Sequence, residues 1–370
     1  MHDIYRERLR RVADAMGRQG VDALVLTPGA SMFYLSGFAH GHAAERLLAL
    51  VVRRDGPASW IVPAMNVPQV RERAGEGQAV RAWTDGETYW PALRDAVGGA
   101  GTIAFDDEAR SAFLMDLMSI APGARVVQAS RIMRGLRARK DGGELGRLRA
   151  AGQVVDDTIP VAVALCRAGR TEAEVESELR QALLARSPES AVAFTIVASG
   201  PNAALPHHET GRRVLRAGDV VILDFGTREP GGYHSDITVT CAVGQPLDPE
   251  VAKVYRTVWE AQRAAIGAVR PGVACEAVDR AARSVIEAAG YGPQFLHRTG
   301  HGLGLQVHEP PYMVAGNEEL LEEGMVFSIE PGIYLPGRFG VRLEIIASVS
   351  SDGVSLINAP SAAEIRVAGS

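Results

Sequence analysis

Four apolar, β-branched runs in the C-terminal half of this chain each carry one acidic residue. They are Asp224 in VILDFG, Asp236 in SDITVT, Glu330 in FSIEPG and Glu344 in VRLEII. Runs of this kind read as strands. A carboxylate buried without a counter-charge is expensive, so strands that aim four acids at one place need cations there. One histidine, His301 in TGHGLGL, falls in the same series. The simplest source of compensating charge is a pair of divalent metal ions.

The spacing suggests how the acids meet. Asp224 and Asp236 lie on consecutive strands joined by Gly231-Gly232, and Glu330 and Glu344 on consecutive strands joined by Pro336-Gly337. Two hairpins each supply two carboxylates, while amphipathic helices cover one face. The pattern suggests a duplicated half-barrel with a central acidic site. Helices are expected over 171–186, where Thr171 and Glu174 form a capping box, and over the segments beginning PEVAKVY and ACEAVDR, the second ended by Gly290. Strands and helices are segregated here, which predicts an α+β domain with antiparallel pairing.

The N-terminal third differs. A helix over 4–18, a strand at 23–28, a strand pair closed by Asp55-Gly56-Pro57, and strands at 102–107 and 124–129 form an α/β pattern. The domains are expected at 1–131 and 132–370, with 132–150 as the linker-helix segment, which Asp141-Gly142-Gly143 interrupts to start a fresh helix.

The length of 370 residues suffices for two domains. A net charge of −5 gives no general attraction to nucleic acid or anionic membrane. No apolar run approaches the ~18 residues of a membrane span, and the charged N-terminal helix lacks the apolar core of a signal peptide. Cys166, Cys241 and Cys275 are far apart and odd in number, as expected of buried thiols in a reducing cytosol. These features predict a cytoplasmic enzyme.

Carboxylates with one imidazole suit hard or borderline ions such as Mn²⁺, Co²⁺ or Zn²⁺. Water held between two such ions becomes a nucleophile at neutral pH. Histidines outside the metal shell can hydrogen-bond the oxyanion and the leaving group. His207 in the Pro-rich loop SGPNAALPHHET, and His297 and His308 flanking His301, are candidates. Arg342 stands two residues before Glu344 and shares its face of the strand. His208 is expected to be structural or solvent-facing, and Tyr233 and Cys241 to be core or edge packing.

Taken together, these motifs resemble the proline-peptidase branch of the M24 metallopeptidases. The Asp224 and Asp236 strands, His301 with His308, the Glu330 EPG, Arg342 with Glu344, and Pro201-Asn202 with Pro206-His207 all match that pattern. FYLSGF and RARKDGGELGRLRAAG resemble the family's N-terminal domain and linker helix. The resemblance implies a pita-bread catalytic domain after a creatinase-type α/β domain. It implies two metal ions per subunit, with Mn²⁺ first. Asp224, Asp236 and Glu344 would bind one ion, and Asp236, His301, Glu330 and Glu344 the other. Glu330 would act as base, His207 and His308 would hold the scissile carbonyl and oxyanion, and His297 and Arg342 would form the proline and carboxylate side.

The implied reaction is hydrolysis of Xaa-Pro bonds in small peptides by a homodimer, with dipeptides slightly preferred. The alternatives are an Xaa-Pro aminopeptidase on longer peptides, an amidohydrolase on a non-peptide amide, a metal-free creatinase-like hydrolase and an inactive binding module. The intact ligand set speaks against the last two. Two family positions differ: an arginine is Val239, which puts recognition of the substrate end in question, and an acid is Ile345.

Overall fold

A computed structural model describes residues 2–39, 45–75, 77–245 and 247–368. The chain separates into two compact units, Met1–Arg137 and Ala138–Ser370.

The first unit is built on one mixed sheet. Strands β1 (Ala23–Leu26), β2 (Ala49–Arg53), β3 (Ser59–Pro63), β4 (Ala79–Trp83), β5 (Thr102–Phe105) and β6 (Arg125–Gln128) lie in the order β4-β3-β2-β1-β5-β6. Helices α1 (His2–Gln19), α2 (Ala30–Ser36), α3 (Val67–Arg71), α4 (Trp90–Val97), α5 (Ser111–Ile120) and α6 (Ser130–Ala138) accompany them. Leu93, Val97, Phe113 and Leu117 of α4 and α5 pack with Val25, Val51 and Ile61 of the sheet. The strand pair around Asp55-Gly56-Pro57 is antiparallel, with Ala49 opposite Ile61. Strand β4 escaped the sequence reading. It is an edge strand in which only Trp83 is buried, so it carries no apolar alternation.

Residues 132–150 are interrupted where Asp141-Gly142-Gly143 was expected to start a fresh helix. α6 ends at Ala138, Arg139 bridges to Met325, and Asp141 caps a new helix, α7 (Gly142–Leu165). The Asp141 side chain accepts from the Glu144 N–H while the Glu144 side chain accepts from the Asp141 N–H. This reciprocal bonding satisfies two donors that a helix start leaves open. The compact units divide between Arg137 and Ala138, six residues beyond the expected boundary.

The second unit holds α7 and α8 (Glu172–Arg186), strands β7 (Ala191–Ser199), β8 (Val220–Arg228) and β9 (Ile237–Val243), and helices α9 (Val251–Ala268) and α10 (Cys275–Ala288). Strands β10 (Gly300–Gly302), β11 (Glu309–Met313), β12 (Val326–Ile329), β13 (Gly332–Leu335), β14 (Phe339–Arg342), β15 (Ile345–Ser350), β16 (Gly353–Leu356) and β17 (Arg366–Ala368) follow. Three sheets result, ordered β17-β9-β8-β7, β11-β10-β12-β15-β16 and β13-β14. Val155, Leu179 and Leu183 of α7 and α8 pack against Leu223, Phe225 and Ile237. Val254, Val258, Val278 and Ala282 of α9 and α10 pack against Phe327, Ile345 and Ala347. Each helix pair thus backs one sheet, and the opposite faces are left for the acidic residues. The three cysteines are buried.

Candidate metal centre

The two hairpins deliver the four acids, but not as strand residues throughout. Only Asp224 lies inside a strand; Asp236 just precedes β9, Glu330 separates β12 from β13, and Glu344 separates β14 from β15. At the last two points the chain passes between the five-stranded and two-stranded sheets. Where the chain changes sheet it leaves its ladder, and the side chain there is free to point into the space between sheets. A backbone bond from the Glu344 N–H to the Thr238 carbonyl ties the hairpins together.

All nine residues singled out in the sequence line one cavity of about 600 Å³, together with Phe194, Ile196, Val307 and Arg298. Three sets of donor atoms lie mutually within 4.8 Å: Asp224, Asp236 and Glu344; His301, Glu330 and Glu344; and Asp236, His301 and His308. Glu344, Asp236 and His301 each belong to two sets, and of these only the carboxylates have two oxygens with which to serve two ions. His308, expected outside the shell, is in the third set, and its ring centroid lies 3.9 Å from that of His301. The Nδ1 of His301 is 3.1 Å from the Gly302 carbonyl, to which it donates, and its Nε2 faces Glu330 Oε1 at 3.2 Å and Asp236 Oδ2 at 3.7 Å.

The electrostatics fit a cation site. Burial, then the neighbouring carboxylates, raises Asp236 and Glu344 well above the usual carboxylate range, and burial also raises Asp224. Glu330 is the exception: burial pushes it up, but the hydrogen bond and charge of His301 outweigh burial and bring it to about 2. Asp224 Oδ1 and Glu344 Oε1 are buried and accept no hydrogen bond among the described residues. Buried oxygens of this kind call for a partner, and a carboxylate-rich set with one imidazole matches divalent ions of the Mn²⁺, Co²⁺ or Zn²⁺ type.

A further layer fixes these ligands. The Thr238 hydroxyl donates to Glu344 at 2.8 Å, and Ser328 donates to Glu330 at 3.1 Å. Arg342 donates to Asp224 at 2.6 Å, to the Tyr334 hydroxyl at 2.9 Å, to the Pro206 carbonyl and to Thr238. Burial lowers its pKa, yet Tyr334 and Asp224 hold it well above the usual value. His297 Nδ1 lies 2.8 Å from the Arg298 carbonyl, so it carries the proton, and Nε2 accepts from Tyr334 at 2.8 Å. Thr238 could have been found in the sequence, because it follows Asp236 by two residues on one face. Tyr334 gave no such signal.

Val239 does not bear on the site. It packs against the apolar cluster of Val155, Leu179 and Phe225, while Thr238 and Thr240 bond to Glu344 and Arg342. Strand alternation turns residue 239 away from the cavity. Ile345 is likewise core.

His208 leaves the cavity and meets Glu172, with Nε2 at 2.9 Å from Oε2. Glu172 also accepts from the Ser199 N–H and hydroxyl, Asn202 and the Gly211 N–H. It therefore pins the loop that presents His207. Burial pushes its pKa up, but the bonds from Ser199, His208 and Asn202 bring it below the usual value. Glu172→Gln is expected to lower unfolding free energy by about 2 kcal/mol, the scale of charged hydrogen bonds lost. It should also lower kcat at unchanged metal content, and urea unfolding with metal analysis checks both.

Residues 146–350 match the model of metallopeptidase family M24. The chain belongs to that family. Residues 8–139 match the creatinase/prolidase N-terminal domain, so this M24 chain joins a creatinase-type domain to a pita-bread catalytic domain. It is 42% identical over 361 residues to the probable dipeptidase PepE of Mycobacterium bovis, covering 97% of this chain and 96% of the relative. It is 37% identical over 316 residues to the Xaa-Pro dipeptidase of Lactobacillus helveticus, covering 84% and 85%. The crystal structure of dipeptidase PepE from Mycobacterium ulcerans superposes with a TM-score of 0.94 at 42% identity, covering 99% of this chain and 98% of that one. The M24 chain is a metallopeptidase whose carboxylate and histidine clusters can bind divalent metal. Among the described residues no helix is long and apolar enough to cross a membrane.

Proposed function

We propose that this M24 enzyme hydrolyses the Xaa-Pro bond of dipeptides with two divalent ions per chain, Mn²⁺ first. The observation that carries the reading is the pair of buried donor sets sharing Glu344, with an unsatisfied carboxylate oxygen on Asp224 and on Glu344. Asp224, Asp236 and Glu344 would hold one ion, and Asp236, His301, Glu330 and Glu344 the other. Bound there, the ions lower the pKa of water and polarise a carbonyl oxygen.

The chain supplies the remaining chemistry. Glu330 is oriented by Ser328 and His301. As general base its carboxylate takes the proton of the attacking water and returns it to the departing proline nitrogen. His207 and His308 line the same cavity and can hydrogen-bond the oxygen of the tetrahedral carbon. Arg342 and Tyr334 keep Asp224 and His297 in place. Phe194, Ile196 and Val307 form an apolar wall that suits the substrate's side chains. The substrate bias rests on relatives named as dipeptidases. The proposal also takes the protein to be a cytoplasmic homodimer, and three buried cysteines, odd in number, agree with a reducing compartment.

The test is hydrolysis of Ala-Pro beside Ala-Pro-Ala by Mn²⁺-loaded protein, with a chelated control. Expected are cleavage of the dipeptide, little cleavage of the tripeptide, and loss of both on chelation. Comparable cleavage of the tripeptide replaces the dipeptidase reading with an aminopeptidase. If metal-loaded protein cuts neither, a non-peptide amide takes the peptide's place.

A further inference from the structure

Among the described residues, one cation lining the cavity remains after the centre has been accounted for. Arg342 cannot serve a substrate without abandoning the protein, because each of its three guanidinium nitrogens already donates to Asp224, Tyr334, Pro206 or Thr238. Arg298 is different. It lines the same cavity and is half-buried. Among the described residues its guanidinium has no hydrogen-bond or ion-pair partner. It lies over the Tyr312 ring, 4.4 Å from the centroid.

Its surroundings hold it ready. Arg283 donates to the carbonyls of Phe295 and His297, the His297 ring donates to the Arg298 carbonyl, and Asp279 accepts from the Thr299 N–H and hydroxyl. The backbone on both sides of Arg298 is therefore pinned. Tyr312, the ring beneath the guanidinium, pairs directly opposite His301 across β10 and β11. The stack keeps the planar fork oriented while leaving its N–H edges open. His308 and Arg298 line one cavity. The guanidinium thus shares a cavity with the histidine that faces the reacting carbonyl in the reading above. In a dipeptide the terminal carboxylate lies only one residue beyond that carbonyl, about 3.5 Å along the chain.

We infer that Arg298, stacked on Tyr312, is a specificity-determining residue that binds the terminal carboxylate of a dipeptide substrate. A guanidinium presents two parallel donors to a carboxylate, whereas a continuing peptide offers a neutral amide in its place. The inference rests on the Xaa-Pro hydrolase reading and supplies its physical basis for preferring dipeptides.

The test compares Ala-Pro with its carboxamide, Ala-Pro-NH₂, on Mn²⁺-loaded wild type, Arg298→Gln and Arg298→Lys. Wild type is expected to favour the acid through KM. Arg298→Gln should raise KM for the acid on the order of 10- to 100-fold, the scale of charged hydrogen bonds. KM for the amide and kcat for both should change little. Arg298→Lys should keep part of the preference, because it keeps the charge without the fork. Equal acid-to-amide ratios in wild type and Arg298→Gln overturn the inference and leave the hydrolase reading standing. Loss of metal or of folding in both variants makes Arg298 structural and also overturns it. Wild type that cleaves neither compound defeats the hydrolase reading and the inference with it.

Discussion

Asp236→Ala is expected to lose at least ~10³-fold in kcat/KM, about 4 kcal/mol of transition-state stabilisation, as removal of metal-borne charge stabilisation implies. Bound Mn²⁺ should fall by about half or more in the same protein, because metal affinity depends on the deprotonated ligand set. Asp236 contributes to two of the three donor sets, one with Asp224 and Glu344 and one with His301 and His308. Removing a shared carboxylate weakens both ends of the centre, whereas removing Asp224 would weaken one.

The same substitution makes a second prediction of opposite sign. Asp236 is buried beside Asp224, Glu330 and Glu344, and its neighbours already disfavour its charge. In metal-free protein the alanine variant should unfold at higher urea than wild type, because one uncompensated buried carboxylate is gone. With Mn²⁺ present the order should reverse, since metal binding stabilises only the native state and the variant binds less. Urea unfolding with and without chelator, beside metal analysis, reads both effects. A variant that keeps full metal and full rate would end the shared-ligand assignment. A variant less stable in both conditions would show that Asp236 is held by something other than ions.

Local chemistry made much of this architecture legible in the sequence. The strand pair around Asp55-Gly56-Pro57 and helix α8, with its Thr171–Glu174 capping box, declare themselves within a few residues. The acids of the site stood out because a carboxylate inside an apolar run is costly wherever the run folds. The reading lost its hold where the decision is made far away in the chain. Glu330 and Glu344 read as strand residues, but they occupy the points where the chain changes sheet, and only the assembled sheets create those points. Strand β4 carries too few buried residues to leave a pattern. Val239 looked like a lost substrate contact until strand alternation turned it toward α7 and α8. Tyr334, which links His297 to Arg342, is an ordinary aromatic in an apolar run. Arg298 gains its meaning only because Arg342 is fully engaged elsewhere.

The buried pair Lys140–Glu309 is a clear case of such distant dependence, and Lys140→Met is expected to be strongly destabilising. The two side chains are 1% and 3% exposed and meet at 2.8 Å across 169 positions. Lys140 also anchors its own backbone, donating its N–H to the Gly324 carbonyl. Methionine fills nearly the same space but takes the Lys140 ammonium away from the buried Glu309 carboxylate. Breaking one side of a buried pair costs about 3–5 kcal/mol, more than the pair itself contributes over an apolar replacement. For a unit of this size that lowers the melting temperature on the order of 10 °C. The damage should reach the site, because Glu309 follows His308 directly and pairs opposite Gly302, next to His301. Calorimetry of Lys140→Met, Glu309→Leu and the double variant separates charge from packing. Each single variant should be strongly destabilised, and the double variant should recover most of the loss, because it buries no unpaired charge. Single variants as stable as wild type would mean that the pair is reached by water. A double variant no better than either single one would mean that the Lys140 stem and the Glu309 backbone, rather than the charges, hold this corner of the site.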